Sequence, residues 1–379
     1  MYELGDEEIE AARRVMTSGR MFRYLDRTNS EAFHFEQQWS SKIGVEHTIA
    51  VNSGTSALIC GLIGMGIGPG DEVIIPGYTF VATAIAVAAV GATPVVANID
   101  ASLTIDPSDI EVRISECTKA IIPVHMRGFP CDMEKIMSIA ERHDLGVIED
   151  ACQAAGGTYR GKKLGSIGHA GAFSFNFFKT LSCGEGGAVC TSDRSIFERS
   201  LIYHDSGCAA FGRNAQQLSM PPFPGQNYRI SEVCAAIMIE QTKRLDSITD
   251  RLRKICSNLT SDLPSPSVSP ICGNDSDGEC GTAVAWRCDS RDRAEKIASG
   301  LRDRGYDSVV PLQTGKHVFR NWSPLWSSNH SLKRAMLMNE GKHSLNATLD
   351  HLGKTVLLMP TLNWKTEDFT SVLKVLRNA

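Results

Sequence analysis

The sequence lacks any block of basic residues and has little net charge. Its 39 Lys and Arg residues nearly balance its 43 Asp and Glu residues, which leaves a formal net charge of −4. Because nucleic acids are bound by clustered Lys and Arg side chains, no nucleic-acid partner is expected. The 12 cysteines contain no Cys-x-x-Cys pair, and this scattered distribution is typical of a reduced cytosolic protein.

Signals for secretion or membrane insertion are also lacking. The first eight residues are acidic, without the basic start and apolar run of a secretory signal, so a cytoplasmic location is expected. The most apolar region, 80–99, is long enough to cross a bilayer, but Gly91, Thr93 and Pro94 interrupt it. We interpret it as a buried helix followed by a strand at 94–98, since proline breaks a helix. No membrane partner is expected.

The hydrophobic pattern predicts an α/β fold. Between residues 48 and 189, short apolar runs alternate with helical patterns, which is typical of strand-helix-strand units in a mainly parallel sheet covered on both faces. The predicted strands are 72–75, 94–98, 120–123, 146–148 and 172–177. The predicted helices between them include 55–65 and 132–143.

The remainder of the chain predicts a second, smaller domain. A length of 379 residues favours two domains. A long helix is predicted from 231 to about 259, a flexible surface loop at 263–281, a strand at 282–288 and a helix at 293–305. We therefore assign residues 1–240 to an N-terminal segment and a large domain, and residues 241–379 to a small α+β domain.

One lysine stands in an unusual context. Lys179 follows an aromatic-rich apolar run and precedes a glycine-rich turn in the segment 174–187. This position favours a side chain that points into a cleft, where an amine deprived of water attacks a carbonyl more readily. The alternative is that Lys179 ends a strand and keeps its charge in solvent.

An aspartate ends the predicted strand at 146–148. Asp150 falls where α/β sheets bind ligands, beyond the carboxyl end of a strand. In a pyridoxal enzyme, such a carboxylate keeps the pyridine nitrogen protonated, so that the ring accepts electrons. The alternative role is that of a helix N-cap, which Asp also favours.

Two further segments suit a phosphate and a flat ring. Ser53, Gly54 and Thr55 open a helix, where free N–H groups and the helix dipole favour an anion, although the same pattern caps helices that bind nothing. In the segment 76–80, an aromatic residue follows a strand, where it can stack on a ring or join the core. Together with Lys179 and Asp150, these segments form the set of parts that a pyridoxal phosphate site needs.

With these motifs, the sequence resembles the DegT/StrS-type family of fold type I aminotransferases, whose members are the sugar aminotransferases of antibiotic and surface-polysaccharide pathways. The likeness extends over essentially the whole chain. It is carried by the segments 53–55, 68–74, 149–154 and 227–232, and by Ser174 five residues before Lys179.

The resemblance implies that the ring of pyridoxal phosphate is held by four residues. Lys179 would bind the aldehyde of the cofactor covalently, and Asp150 would pair with the ring nitrogen. Phe80 would stack on the ring, and Gln153 would lie beside it near its hydroxyl group. Lys179 and Asp150 would be the catalytic residues.

For the cofactor phosphate, the resemblance implies contacts from Gly54, Thr55 and Ser174. Asn227 would reach the phosphate of the cofactor in a neighbouring subunit. That role makes a homodimer with shared active sites the minimal active unit.

Some positions depart from the family pattern or suggest a narrower branch. Asn176 stands where His is common, and Arg127 stands where many relatives have an uncharged residue. Arg127 can hold a substrate carboxylate or phosphate through a fork-like contact, or it can be a structural arginine. The segments 21–24 and 317–322 resemble the branch that makes amino-octulosonate sugars, and we include Arg23, Tyr24 and His317 as candidate substrate contacts. No metal ligand set is predicted.

The family implies amino transfer from an amino acid, glutamate or glutamine by analogy, to a keto or aldehyde sugar. Related sugar dehydratases replace the lysine with histidine, whereas this chain has Lys179. A regulatory homologue without catalysis is expected to lose Lys179 or Asp150, whereas this chain has both. A nicotinamide enzyme is disfavoured because no predicted strand is followed by the spaced-glycine turn of a dinucleotide site.

Overall fold

The computed structural model describes residues 3–23, 25–207, 218–260, 267–322, 324, 333 and 344–378. The helices in this part of the chain are α1 Asp6–Ser18, α2 Glu31–Ile43, α3 Gly54–Gly64, α4 Ala82–Ala89, α5 Pro107–Arg113, α6 Met133–His143, α7 Arg194–His204, α8 Glu232–Thr260, α9 Arg291–Arg302, α10 Asn346–Gly353 and α11 Thr366–Arg377. The strands are β1 His47–Val51, β2 Glu72–Pro76, β3 Thr93–Ala97, β4 Thr118–Ile121, β5 Gly146–Asp150, β6 Thr158–Tyr159, β7 Lys162–Lys163, β8 Ala170–Ser174, β9 Gly187–Thr191, β10 Val268–Pro270, β11 Val284–Cys288, β12 Ser308–Val309 and β13 Thr355–Leu358.

A seven-stranded sheet has the order β1-β9-β8-β5-β4-β2-β3. Strand β9 runs antiparallel to both of its neighbours, whereas all the other neighbouring pairs are parallel. The predicted mainly parallel α/β sheet is therefore confirmed. Strands β1 and β9 were not among the predicted strands.

Helices cover both faces of this sheet. Alternate side chains of a strand point to opposite faces, so Val73 and Ile75 pack with α3, α4 and α7, while Ile74 packs with α2, α6 and α8. On the second face, the Trp39 ring lies 5.2 Å from the ring of Phe173 and 5.0 Å from that of Phe175, edge to face in both pairs. Burial on both sides explains why the strands are continuously apolar.

The parallel strands end at one edge of the sheet, and that edge positions the site. Asp150 is the last residue of β5, and Ser174 is the last residue of β8. Because β9 is reversed, it begins at this edge, where Gly187 pairs with both Ser174 and Val51. A Cβ at Gly187 would lie 2.4 Å from the Ser53 carbonyl oxygen, so only glycine allows the start of α3 to approach the strands this closely.

A second sheet contains the strands β10-β11-β13-β12. Its neighbouring strands are all antiparallel, and α9 and α11 pack on it around the buried Trp286. Helix α8 continues without interruption from Glu232 to Thr260. The boundary placed between residues 240 and 241 falls inside this helix and stays a prediction.

Some predicted elements differ from the structure. The loop predicted at 263–281 contains β10, which pairs with β11, because Val268 buries its side chain in the core of the second sheet. The strand predicted at 172–177 ends at Ser174, since the chain turns after it. No helix in the described ranges is long and apolar enough to cross a membrane.

Candidate active site

Asp150 is held by two hydrogen bonds at the end of β5. Its Oδ2 accepts a bond of 2.8 Å from Thr83 Oγ1, and its Oδ1 accepts one of 3.1 Å from the Cys152 amide. The Thr83 hydroxyl is also 2.7 Å from Thr79 Oγ1. These threonines are completely buried and Asp150 is 5% exposed. Water therefore does not compete with these hydrogen bonds, and they set the orientation of the carboxylate.

The neighbouring carboxylate, Glu149, has a structural role. It points to the opposite face of β5, where it accepts hydrogen bonds from three backbone amides, at 165, 167 and 168, and pairs with His125 Nε2 at 2.9 Å. The Cys131 amide donates to His125 Nδ1. Since an accepting Nδ1 carries no proton, the imidazole is neutral and its Nε2–H donates to Glu149.

The start of α3 packs against the end of β8. A Cβ at Gly54 would lie 2.7 Å from Ser174 Cβ and 2.8 Å from Cys152 Sγ, so this position requires glycine. Ser53 caps the helix by accepting a hydrogen bond of 3.1 Å from the Ser56 amide. The first-turn N–H groups of Gly54 and Thr55 have no acceptor within the helix, and the Ser174 hydroxyl would lie 3.2 Å from a Cβ at Gly54.

Lys179 lies in a turn between β8 and β9. Its amide donates a 3.1 Å hydrogen bond to the Asn176 carbonyl, and Asn176 Oδ1 accepts a bond of 3.0 Å from the Phe178 amide. The lysine side chain lines a cavity of about 390 Å³. The residues that line this cavity are Phe80, Arg127, Gln153, Asn176, Phe178, Lys179, Thr180, Thr282, Lys316 and His317.

The Cys152 thiol, just beyond the end of β5, is affected by both charged groups. Burial raises its pKa well above the usual value, the Asp150 carboxylate raises it further, and the Lys179 ammonium opposes both effects. Lys179 and Asp150 therefore act on the same thiol, and their catalytic roles stay a prediction.

Arg127 and Gln153 are joined at one wall of the cavity. Gln153 Oε1 accepts a 3.3 Å hydrogen bond from the Arg127 amide, and the Arg127 carbonyl accepts one of 2.7 Å from Thr282 Oγ1. The φ angle of Arg127 is 57°, which a residue other than glycine rarely adopts. On the opposite side, the rings of Phe80 and His317 have centroids 5.6 Å apart.

The remaining predicted residues lie elsewhere. Arg23 is buried in an ion pair of 2.9 Å with Glu36 and does not line the Lys179 cavity, so its substrate role stays a prediction. Asn227 is exposed and pairs with Asp205 in an isolated bridge. Tyr24 lies outside the described residues.

Sequence reasoning did not assign several residues that the structure brings to the site, among them Thr83, Thr282 and Lys316. Thr83 supports Asp150, and its signal was the spacing of four residues from Thr79 within an apolar stretch. Thr282 and Lys316 line the cavity from segments far along the chain. No periodicity or motif connects those two positions with Lys179.

Comparison with known proteins identifies the family. The sequence profile of the DegT/DnrJ/EryC1/StrS aminotransferase family matches residues 3–307. The chain belongs to this family. The predicted family is confirmed, and with it the enzyme class and the pyridoxal phosphate cofactor at the level of the family.

Curated relatives of this DegT-family chain are enzymes of sugar metabolism. It is 35% identical over 339 residues to the dTDP-3-amino-3,4,6-trideoxy-alpha-D-glucose transaminase of Streptomyces venezuelae, which covers 88% of this chain and 85% of the relative. It is 43% identical over 213 residues to the GDP-perosamine synthase of Caulobacter vibrioides, covering 56% of each protein. It is also 39% identical over 258 residues to the spore coat polysaccharide biosynthesis protein SpsC of Bacillus subtilis, covering 66% of this chain and 65% of SpsC.

Solved structures of the family have the same fold. The aminotransferase from Psychrobacter cryohalolentis superimposes with a TM-score of 0.84 at 26% identity, covering 100% of this chain and 98% of that one. DesV of S. venezuelae, solved with a ketimine intermediate, gives a TM-score of 0.79 at 31% identity, covering 98% and 94%. The predicted fold type I architecture is confirmed.

The groups at this edge of the sheet fit pyridoxal phosphate. The free amides of the first turn of α3 and the Ser174 hydroxyl suit a phosphate, and the crowding at Gly54 brings them together. The buried Asp150 carboxylate suits a protonated ring nitrogen, and the Lys179 amine suits an aldehyde. When bound, the cofactor supplies that aldehyde and a ring that accepts electrons.

Proposed function

We propose that this protein is a pyridoxal-phosphate-dependent aminotransferase that moves an amino group from an amino acid, glutamate or glutamine, to a keto or aldehyde sugar or sugar-like acceptor. The observation that carries the proposal is that Lys179 lines the cavity while its ammonium and the Asp150 carboxylate act with opposite sign on the pKa of Cys152. The named transaminase of S. venezuelae, aligned over 88% of this chain, supports a sugar acceptor.

Each side chain of the site has a separate task in this proposal. Lys179 Nζ holds the cofactor between turnovers and moves the proton at the α-carbon of the donor. Asp150 holds the proton on the ring nitrogen, oriented by Thr83. Gly54, Thr55 and Ser174 bind the phosphate, while Phe80 and Gln153 position the ring.

The two substrates enter the same cavity in turn. The amino acid leaves its nitrogen in the site and departs as an oxo acid, and the carbonyl sugar then takes that nitrogen. Water supplies the oxygen of the departing oxo acid, and one water molecule is released when the sugar carbonyl takes the nitrogen, so the cavity has to admit water. Its lining includes the exposed side chains of Phe80 and Phe178. Because both substrates use the cavity in turn, it is expected to recognise features that the donor and the acceptor share.

A homodimer with shared sites is part of the proposal. Phe178 lines the cavity beside Lys179 and is 75% exposed, and the adjacent Phe177 is 62% exposed, so the two rings form an exposed apolar patch that suits a contact with a second subunit. Asn227 is exposed as well, which suits a contact with a second subunit. The test mixes Lys179→Ala and Asn227→Ala subunits: shared sites restore activity in the hybrid dimer, and separate sites leave the mixture inactive.

A cytoplasmic location also belongs to the proposal. The cysteines in the described part of the chain are free thiols. Free thiols persist in a reducing compartment, where keto sugars and amino acid donors are both available.

The decisive experiment concerns the cofactor attachment. Borohydride reduction of the holoenzyme is expected to fix the cofactor permanently to one peptide, and mass spectrometry should identify Lys179 within it. Lys179→Ala is expected to bind the cofactor reversibly and to give no measurable amino transfer. Lys162→Ala, an exposed lysine on β7, is the matched control and should behave as the wild type. Normal turnover in Lys179→Ala would refute the proposed function.

A further inference from the structure

The cavity beside Lys179 has a strong excess of positive charge. Arg127, Lys179 and Lys316 line it, and no Asp or Glu of the described residues does so. An uncompensated group of three cations is unfavourable in a partly buried site because like charges repel. A cluster of this kind is usually retained where an anionic ligand neutralises it.

Arg127 is fixed before any ligand arrives. Its backbone is held from one side by Gln153 and from the other by Thr282, in the left-handed conformation described above. The next residue, Gly128, has a φ of 82°, and a Cβ there would lie 2.7 Å from Thr282 Oγ1. The backbone from which the Arg127 side chain extends is therefore held by two separate parts of the fold.

The guanidinium retains unused hydrogen-bonding capacity. Arg127 Nε is buried and has no hydrogen-bond partner among the described residues. The group lies near the buried Tyr78 hydroxyl, whose pKa is raised by burial and lowered in part by Arg127. An arginine that keeps a buried donor unsatisfied is available to a ligand, since leaving such a donor unpaired is unfavourable.

The pKa of His317 is affected by the same three cations. Burial, together with the charges of Arg127, Lys179 and Lys316, lowers its pKa to about 4. The imidazole is therefore neutral at physiological pH, and its buried Nδ1 has no partner among the described residues. A neutral ring beside three cations adds a hydrogen-bonding group to the cavity without adding charge.

We propose that this cavity binds a carboxylate of the substrate, with Arg127 as the principal contact and Lys316 as a second cation. The proposal rests on the proposed function, because it concerns the site of Lys179. A planar guanidinium pairs with a planar carboxylate through two parallel N–H···O bonds. Lys179 is reserved for the cofactor, and the phosphate of the cofactor is assigned to the start of α3, away from Arg127.

Two sources can supply this carboxylate. An amino acid donor has a carboxylate on the same carbon as the amine that it transfers, so a cation in the cavity of Lys179 is well placed to hold it. An acceptor that is a sugar acid brings its own carboxylate to the same cavity. Both sources present a carboxylate to the same cations, and the experiment distinguishes the two sources.

The test is titration calorimetry of the holoenzyme with matched probes that undergo no amino transfer. Glutarate and glutaramide form a donor-like pair of the same shape, and D-glucuronate and D-glucose form a sugar pair. In each pair the first compound has an additional carboxylate. A charge-assisted arginine contact should make the first compound of at least one pair bind roughly tenfold more tightly or better.

Arg127→Leu should remove this preference, and Arg127→Lys should restore only part of it because a point charge cannot form the fork. Arg142→Leu, a surface arginine on α6 that pairs with Glu111, is the matched control and should keep the preference. A preference confined to the glutarate pair assigns the carboxylate to the donor, and one confined to the glucuronate pair assigns it to the acceptor.

Any one of four results would overturn the inference. Wild-type protein without a preference in either pair would do so, as would a preference that survives in Arg127→Leu. Weaker cofactor binding in Arg127→Leu would instead assign the arginine to the cofactor. An Arg127-dependent preference for D-glucose 6-phosphate over D-glucuronate would replace the carboxylate with a phosphate. Since none of these measurements needs turnover, failure of the proposed amino transfer is detected separately.

Discussion

The hydroxyl of Thr83 and the carboxylate of Asp150 form a buried hydrogen bond of 2.8 Å between α4 and β5. Thr83 takes part in a chain of hydroxyl groups, because Thr79 Oγ1 lies 2.7 Å from it. One oxygen of Asp150 is thus directed by α4 and the other by the Cys152 amide. The carboxylate cannot rotate without breaking one of these bonds, so its orientation is set before the cofactor binds.

Thr83→Val should weaken cofactor binding and slow amino transfer. Valine has nearly the same shape but removes a donor to a buried carboxylate, which costs about 1–3 kcal/mol. We expect the cofactor dissociation constant, measured by absorbance titration, to rise roughly tenfold or more, since each 1.4 kcal/mol is a factor of ten. Thr83→Ser keeps the hydroxyl and should retain most of the affinity. Equal affinities for Val and Thr at this position would contradict a positioning role.

Two glycines of α3 should respond to alanine in opposite directions. Gly54→Ala places a methyl group 2.7 Å from Ser174 Cβ, and such overpacking should lower the free energy of unfolding by about 1–3 kcal/mol. Gly61→Ala places its methyl group 3.6 Å from Ile148 Cδ1, an ordinary contact. It should raise the free energy of unfolding by about 0.5–1 kcal/mol, because alanine favours a helix. Urea denaturation of the apoprotein measures both, and a stabilised Gly54→Ala would disprove the close approach.

Among the cysteines of the described residues, Cys234 should be the most reactive thiol at mildly acidic pH. A hydrogen bond from Cys183 lowers the pKa of Cys234 to about 6, whereas the pKa of Cys183 is raised well above its usual value. The thiolate is the reactive form, so the rate of Cys234 alkylation by iodoacetamide should rise as pH increases through about 6.

Cys183→Ala is the control for this prediction. It removes the hydrogen bond that stabilises the thiolate, so the midpoint of the alkylation profile should move up toward that of an ordinary thiol. Peptide mass spectrometry across a pH series separates the two cysteines. A wild-type midpoint already near that of free cysteine would show that the two thiols do not interact.

The sequence singled out candidate site residues where polar side chains follow the ends of strands. Asp150 and Lys179 were recognisable because a carboxylate and an amine follow buried strands, and such strand ends meet at one edge of a parallel sheet. Gly54 was recognisable because it opens a helix after a strand. These features depend on local patterns, which a single sequence displays.

The residues that were not predicted depend on contacts between distant segments. Thr282 reaches Arg127 across 155 positions of the chain, and Lys316 enters the cavity from a segment without a motif. Strand β9 was not recognised because its five residues directly follow a glycine-rich turn. Arg23 was considered for the substrate, but Glu36 pairs with it in the interior, and nothing local to either residue reveals that pairing.

The reversed direction of β9 explains why the lysine can be placed so accurately. Two parallel strands need a long crossover between them, usually through a helix, whereas antiparallel neighbours need only a hairpin. Residues 175–186 therefore form a short connection whose two ends, Ser174 and Gly187, are paired with each other. The reactive amine is carried on a loop whose two ends are anchored in paired strands of the sheet, and lengthening that loop would displace the amine while leaving the strands in register.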